Sequence, residues 1–286
     1  MPSDARAIRY ALVTGGSSGI GLETARGLKR HFDVVGIVGR NPGRLAAAAE
    51  DLHEGGGRIE TFPADFTSLA DVRRLADEVR ERFDSLSVLV NNAGVWHRER
   101  HLTQDGYEET FAVNHLAHFL LTNELKEPLV SGAPSRVVNV SSSMHVRPTG
   151  LNWDDLMFEQ RWRGFWVYGH SKLANVLFSN ELARRWEGSG VTSNALNPGN
   201  VRSRITRNNM FLNALHRSPL ARLIIMSETD GARASIHAAT APELEATTGR
   251  YFDKCHETRP SKAARDPEAA KRLWEVSEHL VYSALG

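Results

Sequence analysis

The 286-residue sequence contains a single cysteine, Cys255. One cysteine excludes a framework of internal disulfide bonds and is typical of a protein from a reducing compartment. The sequence also lacks an uninterrupted apolar run as long as a membrane span, and residues 1–7 lack the apolar core of a signal peptide. These absences favour a cytoplasmic protein without a membrane span, in which the Cys255 thiol is partly buried and unreactive.

The sequence also lacks an excess of positive or negative side chains. The sequence has 35 Lys and Arg against 34 Asp and Glu, a net charge of +1, so no global field indicates a nucleic-acid partner. It contains no internal repeat, low-complexity tract or linker that would divide it. The length suits one sizeable α/β domain and is short for two. We therefore expect a single domain over residues 1–286.

Short apolar, β-branched runs alternate along the chain with amphipathic helical patterns. The predicted strands include residues 8–13, 33–38, 87–90, 136–140 and 191–196, with a further strand before Ala64. The predicted helices are 20–31, 44–53, 69–83, 107–125, 171–186 and 267–282. This alternation indicates an α/β fold with a doubly wound parallel sheet and helices on both faces. Such sheets bind ligands beyond the carboxyl ends of their strands.

A glycine-rich turn follows the first predicted strand. Gly15, Gly19 and Gly21 permit backbone angles and close approaches that a Cβ would block. The helix behind them offers free N–H groups and a positive dipole end to a pyrophosphate. The spacing is Gly-x3-Gly-x-Gly, not the commoner dinucleotide fingerprint. On this stretch alone, a tight strand-to-helix turn without a ligand remains an alternative.

Further motifs follow the later strands in a set order: Asn91-Asn-Ala-Gly94, Asn114, Ser142, Tyr168-Gly-His-Ser-Lys172 and Pro198-Gly199. With residues 14–21 they resemble the short-chain dehydrogenase/reductase family over about residues 8–205. The stretches Gly249-Arg-Tyr-Phe252 and Ala270-Lys-Arg-Leu-Trp274 resemble its retinol-dehydrogenase-like branch. The resemblance implies a Rossmann-type domain and an oxidoreductase that moves hydride between a nicotinamide and a carbonyl or alcohol carbon.

The spacing of Tyr168 and Lys172 places both on one face of a helix. A free phenol, with a pKa of roughly 10, exchanges protons poorly near neutrality. A nearby ammonium would lower the pKa of Tyr168 toward the working pH. The resemblance implies that Ser142 hydrogen-bonds the substrate oxygen, that Tyr168 exchanges its proton, and that Lys172 also binds the nicotinamide ribose.

Asn114 completes the predicted catalytic set. Asparagine is a mediocre helix former, so a side-chain role inside the fold is plausible at this position. The resemblance implies that Asn114 distorts its helix and holds a water that leads protons to the lysine. We expect the neighbouring His115 and His118 to pack or to face water rather than to act.

The resemblance assigns the cofactor to residues that follow the strands: Gly15, Ser17, Ser18, Gly19, Ile20, Gly21, Arg40, Asn41, Asp65, Phe66, Asn92, Ala93, Gly94, Tyr168, Lys172, Pro198, Gly199, Val201 and Ser203. Family members often carry threonine where Ser203 stands. Asp65 either accepts a hydrogen bond from the adenine amino group or caps the helix that starts near Ser68; the two roles are compatible.

Arg40 indicates which nicotinamide cofactor is used. No Asp or Glu stands at the end of the second strand to bind a ribose 2′-hydroxyl, whereas a guanidinium suits a 2′-phosphate. We therefore expect NADP(H) rather than NAD(H), with an ordinary solvated arginine as the alternative.

Two apolar segments lie outside the strand–helix repeat. The insertion 151–167 holds five aromatic residues, Trp153, Phe158, Trp162, Phe165 and Trp166, and the segment 204–227 mixes apolar residues with arginines. The family uses the second place as a substrate lid. We expect both segments to cover a pocket for a bulky, mostly apolar carbonyl or alcohol. Alternatively, the aromatics only pack the insertion onto the body, and 204–227 forms a surface helix pair, an oligomer contact or a membrane-surface contact.

Other functions and partners remain open. A non-catalytic cofactor-sensing or scaffold protein would share this fold, and an epimerase or dehydratase would use the same tyrosine with a retained cofactor. No metal is expected: His97 and His101 flank a charged stretch with no further ligand at suitable spacing. Members of the family form homodimers through the helices after strands four and five or remain monomers, so a homodimer is one expected state.

Overall fold

A computed structural model describes residues 8–201 and 226–286. In this part of the chain eight strands form one sheet in the order β3-β2-β1-β4-β5-β6-β7-β8. The strands are β1 Tyr10–Thr14, β2 Val34–Gly39, β3 Arg58–Pro63, β4 Val88–Asn91, β5 Ser135–Val140, β6 Val191–Asn197, β7 Tyr251–Asp253 and β8 His256–Glu257. Every neighbouring pair is parallel except β7 with β8. The predicted doubly wound α/β fold is confirmed, and the strand order reverses between β1 and β4.

Helices cover both faces of the sheet. They are α1 Gly19–Leu28, α2 Pro42–Asp51, α3 Leu69–Arg82, α4 Glu109–Phe111, α5 Ala117–Glu124, α6 Lys126–Ser131, α7 Gly164–Arg185, α8 Glu228–Thr240 and α9 Pro267–Leu285. One apolar cluster joins α1, α2 and α8 to the sheet. A second and larger cluster joins α3, α5, α7 and α9 to the opposite face.

Strand β1 shows why its sequence is apolar throughout. Tyr10 and Leu12 belong to the larger cluster, whereas Ala11 and Val13 belong to the smaller one. Successive side chains of a strand point to opposite faces. Because helices cover both faces, every position of the strand is buried, and the continuous apolar run is the expected pattern for a parallel sheet.

Helix α7 begins at Gly164, earlier than the predicted start at residue 171. Phe165, Trp166 and Val167 therefore lie in its first turn and not in a loop. Aromatic and β-branched residues are weak helix formers, which hid the true start in the sequence. As a result Tyr168 lies inside the helix rather than at its beginning.

The predicted helix 107–125 is one helical run with a π-helical segment at Ala112–Leu116. The Ala117 N–H donates to Ala112 O, five residues back, where an α-helix would bond four residues back. Asn114 lies inside this segment. The expected helix distortion at Asn114 is thus present.

Part of the predicted site lies outside the described residues. This applies to Ser203 and to residues 204–225 of the predicted lid. Of that lid only Met226 and Ser227 are described, and Ser227 caps α8 by accepting a hydrogen bond from Asp230 N at 3.0 Å. No helix among the described residues combines the length and apolar content that crossing a bilayer requires.

Candidate active site

The predicted site residues collect along one edge of the sheet. Thr14 ends β1, Gly39 ends β2, Asn91 ends β4, Val140 ends β5 and Asn197 ends β6. Each predicted cofactor or catalytic motif follows one of these strands or β3, or lies on the helices that follow. Because the strands are parallel, their carboxyl ends share one edge of the sheet, and the topological switch between β1 and β4 lies at its centre.

The loop between β1 and α1 has a backbone that a ligand could approach closely. Gly15 has φ +66° and Gly19 has φ +60°, both in the left-handed region that favours glycine. A Cβ on Gly21 would lie 2.3 Å from Gly15 O. The Ser18 side chain makes no capping hydrogen bond, and the first turn of α1 holds no acidic residue. The first N–H groups of this ten-residue helix therefore suit an anion.

Thr14 joins the loops after β1 and β4. Its Oγ1 accepts hydrogen bonds from Asn92 N and Ala93 N, both at 2.9 Å, and its carbonyl oxygen accepts from Asn92 Nδ2 at 2.8 Å. Asn92 therefore ties the two strands together. Thr14 was not predicted as a site residue, although a hydroxyl at the end of an apolar strand is a signal visible in the sequence.

Asn91 has a structural role. Its Nδ2 donates to Thr122 Oγ1 and to Asn139 Oδ1, both at 2.9 Å. The residue is 2% exposed. These bonds link β4 to β5 and to α5 within the core, beneath the site.

The Asn114 side chain is fully buried and connects three elements. Its Oδ1 accepts from Val95 N at 2.7 Å, and its Nδ2 donates to Val95 O at 3.0 Å and to Ser171 Oγ at 2.9 Å. A Cβ on Gly94 would lie 3.3 Å from Asn114 Oδ1 and 3.6 Å from Lys172 Nζ. The loop after β4 thus passes directly beside the asparagine and the lysine.

Ser142, Tyr168 and Lys172 meet beyond the end of β5. Ser142 Oγ accepts from Met144 N at 3.2 Å, and the Ser142 hydroxyl lies near enough to Tyr168 to lower its pKa. Lys172 Nζ donates to Val140 O at 2.9 Å and lies 5.6 Å from the centre of the Tyr168 ring. The four predicted catalytic residues, Asn114 included, are therefore brought together.

The pKa of Tyr168 corrects one prediction. Burial raises this pKa to about 12, and the neighbouring Ser142 hydroxyl offsets only part of the increase. Burial also lowers the pKa of Lys172 to about 8. The prediction that the pKa of Tyr168 is lowered toward the working pH is wrong for the chain by itself, because desolvation of the phenol has the largest effect on it.

Arg40 and Asn41 follow β2, and both are exposed. Asn41 Oδ1 caps α2 by accepting from Arg44 N at 2.9 Å. Within residues 8–201 and 226–286 the Arg40 guanidinium makes no hydrogen bond or ion pair. It is therefore available to an anion beside the loop of β1.

Asp65 does not cap α3. Its Oδ1 accepts from Thr67 N at 3.0 Å and from Thr67 Oγ1 at 2.9 Å. The cap is Ser68, which accepts from Asp71 N at 3.3 Å, so the capping alternative for Asp65 is wrong. Phe66 is 8% exposed and lies edge-to-face on His118 with ring centres 5.4 Å apart.

The turn after β6 holds the remaining cofactor candidates. Pro198 is buried, and Gly199 has φ +93° with its N–H donating to Asn197 Oδ1 at 3.2 Å. Val201 forms an isolated parallel bridge with Met226. This turn lies at the same sheet edge as Ser142.

The insertion 151–167 divides into two parts. Phe158 is 3% exposed, and Trp153 packs partly buried against the larger core cluster with the Arg272 guanidinium 4.4 Å from its ring centre. Phe165 and Trp166 are instead 51% and 43% exposed. Phe165 stacks on Trp96 with ring centres 4.7 Å apart. The structure therefore realises the packing alternative for the first part and leaves the second beside Tyr168.

Two side predictions concern histidines and the cysteine. His97 Nε2 lies 3.2 Å from Glu109 Oε1, and the centre of its ring is 4.8 Å from that of His101. The described ranges hold no group of three or more His, Cys, Asp or Glu that could bind a metal. Burial raises the pKa of the partly exposed Cys255 thiol, which keeps it protonated and unreactive.

Comparison with known proteins supports this geometry. The family model for short chain dehydrogenase matches residues 9–210. Retinol dehydrogenase 12 from Mus musculus is 40% identical over 275 residues, covering 96% of this chain and 86% of the relative. The structure of an uncharacterized protein from Mycobacterium paratuberculosis superimposes with a TM-score of 0.78 at 32% identity, covering 99% of this chain and 96% of the other. The RhlG/NADP active-site complex of Pseudomonas aeruginosa has a TM-score of 0.70 at 29% identity, with 88% and 97% coverage.

Proposed function

This chain belongs to the short-chain dehydrogenase family, and on that basis we propose that it is an NADP(H)-dependent oxidoreductase acting on a bulky, mostly apolar carbonyl or alcohol. One observation carries the proposal: Asn114, Ser142, Tyr168 and Lys172 converge at the carboxyl edge of the sheet, beside Gly94. Nothing in the core requires a phenol, a hydroxyl and a buried ammonium to gather there.

The residues at this edge fit a nicotinamide cofactor. The positive φ of Gly15 and Gly19 and the uncapped first turn of α1 form a cradle for a pyrophosphate. A Cβ on Gly94 would make a tight contact with Asn114 Oδ1 at 3.3 Å and an ordinary contact with Lys172 Nζ at 3.6 Å, so the backbone of Gly94 borders the proposed catalytic residues. When bound, the nicotinamide cofactor supplies or accepts the hydride.

The chain's own residues handle the proton. A phenol whose pKa is about 12 is protonated at neutral pH and suits donation to the oxygen of a carbonyl that is being reduced. Ser142, whose hydroxyl is near enough to Tyr168 to lower its pKa, orients that oxygen. The Lys172 ammonium, with a pKa of about 8, exchanges protons near neutrality and can restore the proton of Tyr168.

Arg40 supports NADP(H) over NAD(H). It follows β2 at the place where a carboxylate would bind the ribose 2′-hydroxyl, and it is exposed. A guanidinium pairs with a phosphate through two parallel hydrogen bonds. The NADP complex of the Pseudomonas aeruginosa protein is consistent with this choice.

Exposed apolar side chains support a bulky apolar substrate. Val146 is 58% exposed four residues after Ser142, and Phe165 and Trp166 are exposed just before Tyr168. Exposed apolar groups that cluster around a site mark a binding surface more often than isolated ones do. Since the similar mouse protein is named a retinol dehydrogenase, retinol and its aldehyde, retinal, are the first substrates to test.

The test is NADPH-linked reduction of retinal by the purified protein and by its Tyr168→Phe variant. The variant should lose at least about a hundredfold in kcat, since it keeps the ring but has no proton to transfer, while NADPH binding by fluorescence persists. Tyr107→Phe is the matched control, because the Tyr107 hydroxyl donates to Leu280 O at 2.9 Å away from the site. Near-normal turnover in Tyr168→Phe would contradict the proposed mechanism.

A further inference from the structure

Two buried histidines lie one turn apart on the helix that carries Asn114. His115 is 1% exposed and His118 is 2% exposed, and burial lowers the pKa of each to about 3. Both rings are therefore neutral at physiological pH. They face opposite directions: His115 Nε2 lies 2.7 Å from Ser277 Oγ on α9, whereas His118 faces the active site.

His118 contacts both halves of the site. Its Nδ1 lies 3.1 Å from Asn114 O, and its Nε2 lies 2.9 Å from Thr14 Oγ1. A carbonyl oxygen can only accept a hydrogen bond, so Nδ1 carries the proton of the neutral ring. Nε2 therefore holds a lone pair and must accept from the Thr14 hydroxyl.

The hydrogen-bond count around Thr14 agrees with this tautomer. Thr14 Oγ1 already accepts from Asn92 N and Ala93 N, so its single hydrogen needs an acceptor. Val90 O lies 3.3 Å away, farther than His118 Nε2 at 2.9 Å. The Phe66 ring packs edge-to-face on the imidazole and limits its rotation.

We infer that His118 is a positioning residue that joins the cofactor side of the site to the proton-transfer side. Through Nε2 it orients the Thr14 hydroxyl, and thereby the Asn92–Gly94 backbone that borders the proposed cofactor site. Through Nδ1 it holds the Asn114 carbonyl within the π-helical segment. It thereby fixes the position of Asn114, which lies with Lys172 beside Gly94. The inference rests on the proposed function, since it assigns His118 to that same site.

Two substitutions separate the two contacts. In His118→Asn the side-chain amide replaces the Nδ1 donor and cannot reach Thr14. Asn123 on the same helix already makes this kind of bond, with its Nδ2 donating to Phe119 O at 2.8 Å. In His118→Gln the longer side chain places an acceptor near Thr14 Oγ1 and loses the donor to Asn114 O.

The experiment measures the Kd of NADPH by fluorescence and the kcat for retinal at saturating NADPH. His118→Asn should raise the Kd about five- to tenfold, the effect of losing one hydrogen bond, and should lower kcat less than His118→Gln does. His118→Gln should show the converse, with the larger effect on kcat. His115→Asn and His115→Gln are the matched controls and should shift Tm alone.

Each outcome decides the inference. If both His118 variants change Kd and kcat only in proportion to a loss in Tm, as the His115 pair does, the role is structural and the inference is wrong. The reverse split, or no effect, also overturns it. A wild-type protein that neither binds NADPH nor reduces retinal contradicts the proposed function itself, so the two failures are distinguishable.

Discussion

Desolvation shifts the pKa of four ionisable side chains toward the neutral form. Partly exposed Tyr168 and buried Lys172 and His118 lie at the candidate site, whereas buried His115 faces α9. The pKa of Tyr168 rises to about 12 and that of Lys172 falls to about 8, while those of His115 and His118 fall to about 3. Removing a charge from water is costly unless it is paired. The site is therefore built from neutral polar groups, with Lys172 alone close to its titration point at neutral pH.

The two histidines make the fold sensitive to acid. Their pKa is about 3 in the folded protein, whereas the ordinary pKa of histidine is 6.5. The unfolded chain therefore takes up more protons than the folded protein below pH 6.5. The contribution of the two neutral histidines to the free energy of unfolding is complete above pH 6.5, and it decreases as the pH falls toward 3. Each histidine should lower the free energy of unfolding by about 2 kcal/mol at pH 5 relative to pH 8.

Urea unfolding at pH 8 and pH 5 measures this loss. In His115→Leu the difference between the two free energies of unfolding should be smaller than in the wild type by about 2 kcal/mol. His53→Leu is the control, since His53 is exposed on the surface and should leave the difference unchanged. An equal pH effect in wild type and His115→Leu would refute the assignment.

Arg40 governs a second prediction at the residue scale. Arg40→Ala should reduce the preference for NADPH over NADH by about one to two orders of magnitude, since a hydrogen bond to a charged group contributes roughly 1.5–3 kcal/mol. The measurement is kcat/KM for each cofactor. Arg30→Ala is the matched control, because Arg30 is exposed beyond the far end of α1. Equal use of both cofactors by the wild type would show that NADP(H) is the wrong assignment.

At the scale of elements, the insertion and the first turn of α7 have separate tasks. Phe158 is buried at 3% exposure, whereas Phe165 and Trp166 remain exposed. The buried part anchors the insertion: Arg100 Nε donates to Met157 O at 3.1 Å, and Trp162 Nε1 donates to Arg98 O at 3.1 Å. The loop after β4 and the insertion thus hold each other beside Tyr168.

Substitutions should separate these tasks. Phe158→Ala should lower the free energy of unfolding by about 3–5 kcal/mol, as expected for a buried aromatic. Trp166→Ala should instead reduce the ratio of kcat/KM for retinal to that for propanal by about tenfold, since apolar contact area contributes about 25 cal/mol per Å². Tyr282 is also a partly exposed aromatic residue, but it lies on α9. The control substitution Tyr282→Ala should therefore leave the ratio unchanged. A ratio insensitive to Trp166→Ala would remove this side chain from the pocket.

At the scale of the whole molecule, α9 covers α5 and α7. Trp274 packs on Phe119 of α5 with ring centres 4.9 Å apart and stacks on Phe178 of α7 at 5.9 Å. The Arg185 guanidinium lies 4.6 Å from the Trp274 ring centre. The helices after strands four and five, through which the expected homodimer would form, are therefore occupied by the chain's own last helix.

We accordingly predict a monomer of 31.7 kDa in size-exclusion chromatography with light scattering, at every concentration tested. Trp274→Asp should detach α9, expose the apolar face and cause self-association. Lys271→Asp, on the exposed side of the same helix, should leave the mass unchanged. A stable dimer of the wild-type protein would show that another surface associates, or that α9 moves.

Local patterns of residues were enough to predict strands β1 to β6 and most of the helices that follow them, whereas β7, β8, α6 and α8 were not predicted. Apolar periodicity depends on which faces are buried, and glycine spacing on which backbone angles a turn needs, so both are visible over short stretches of chain. Asn114, Ser142, Tyr168 and Lys172 were instead predicted chiefly from the resemblance to the short-chain dehydrogenase/reductase family. The structure brings the four residues together, and their catalytic roles stay predictions. Cofactor preference and substrate stay predictions.

Tertiary packing determined the features that local patterns did not predict. Thr14 and His118 are 104 residues apart, and no local pattern relates them, because their hydrogen bond exists only once α5 lies beside β1 and β4. The pKa of Tyr168 likewise depends on the surface that folding removes from water, which reversed the direction expected from Lys172. Whether a given aromatic in the insertion packs inside or stays at the site, and where α9 lies, depend on the shape of the surfaces they meet, which forms only in three dimensions.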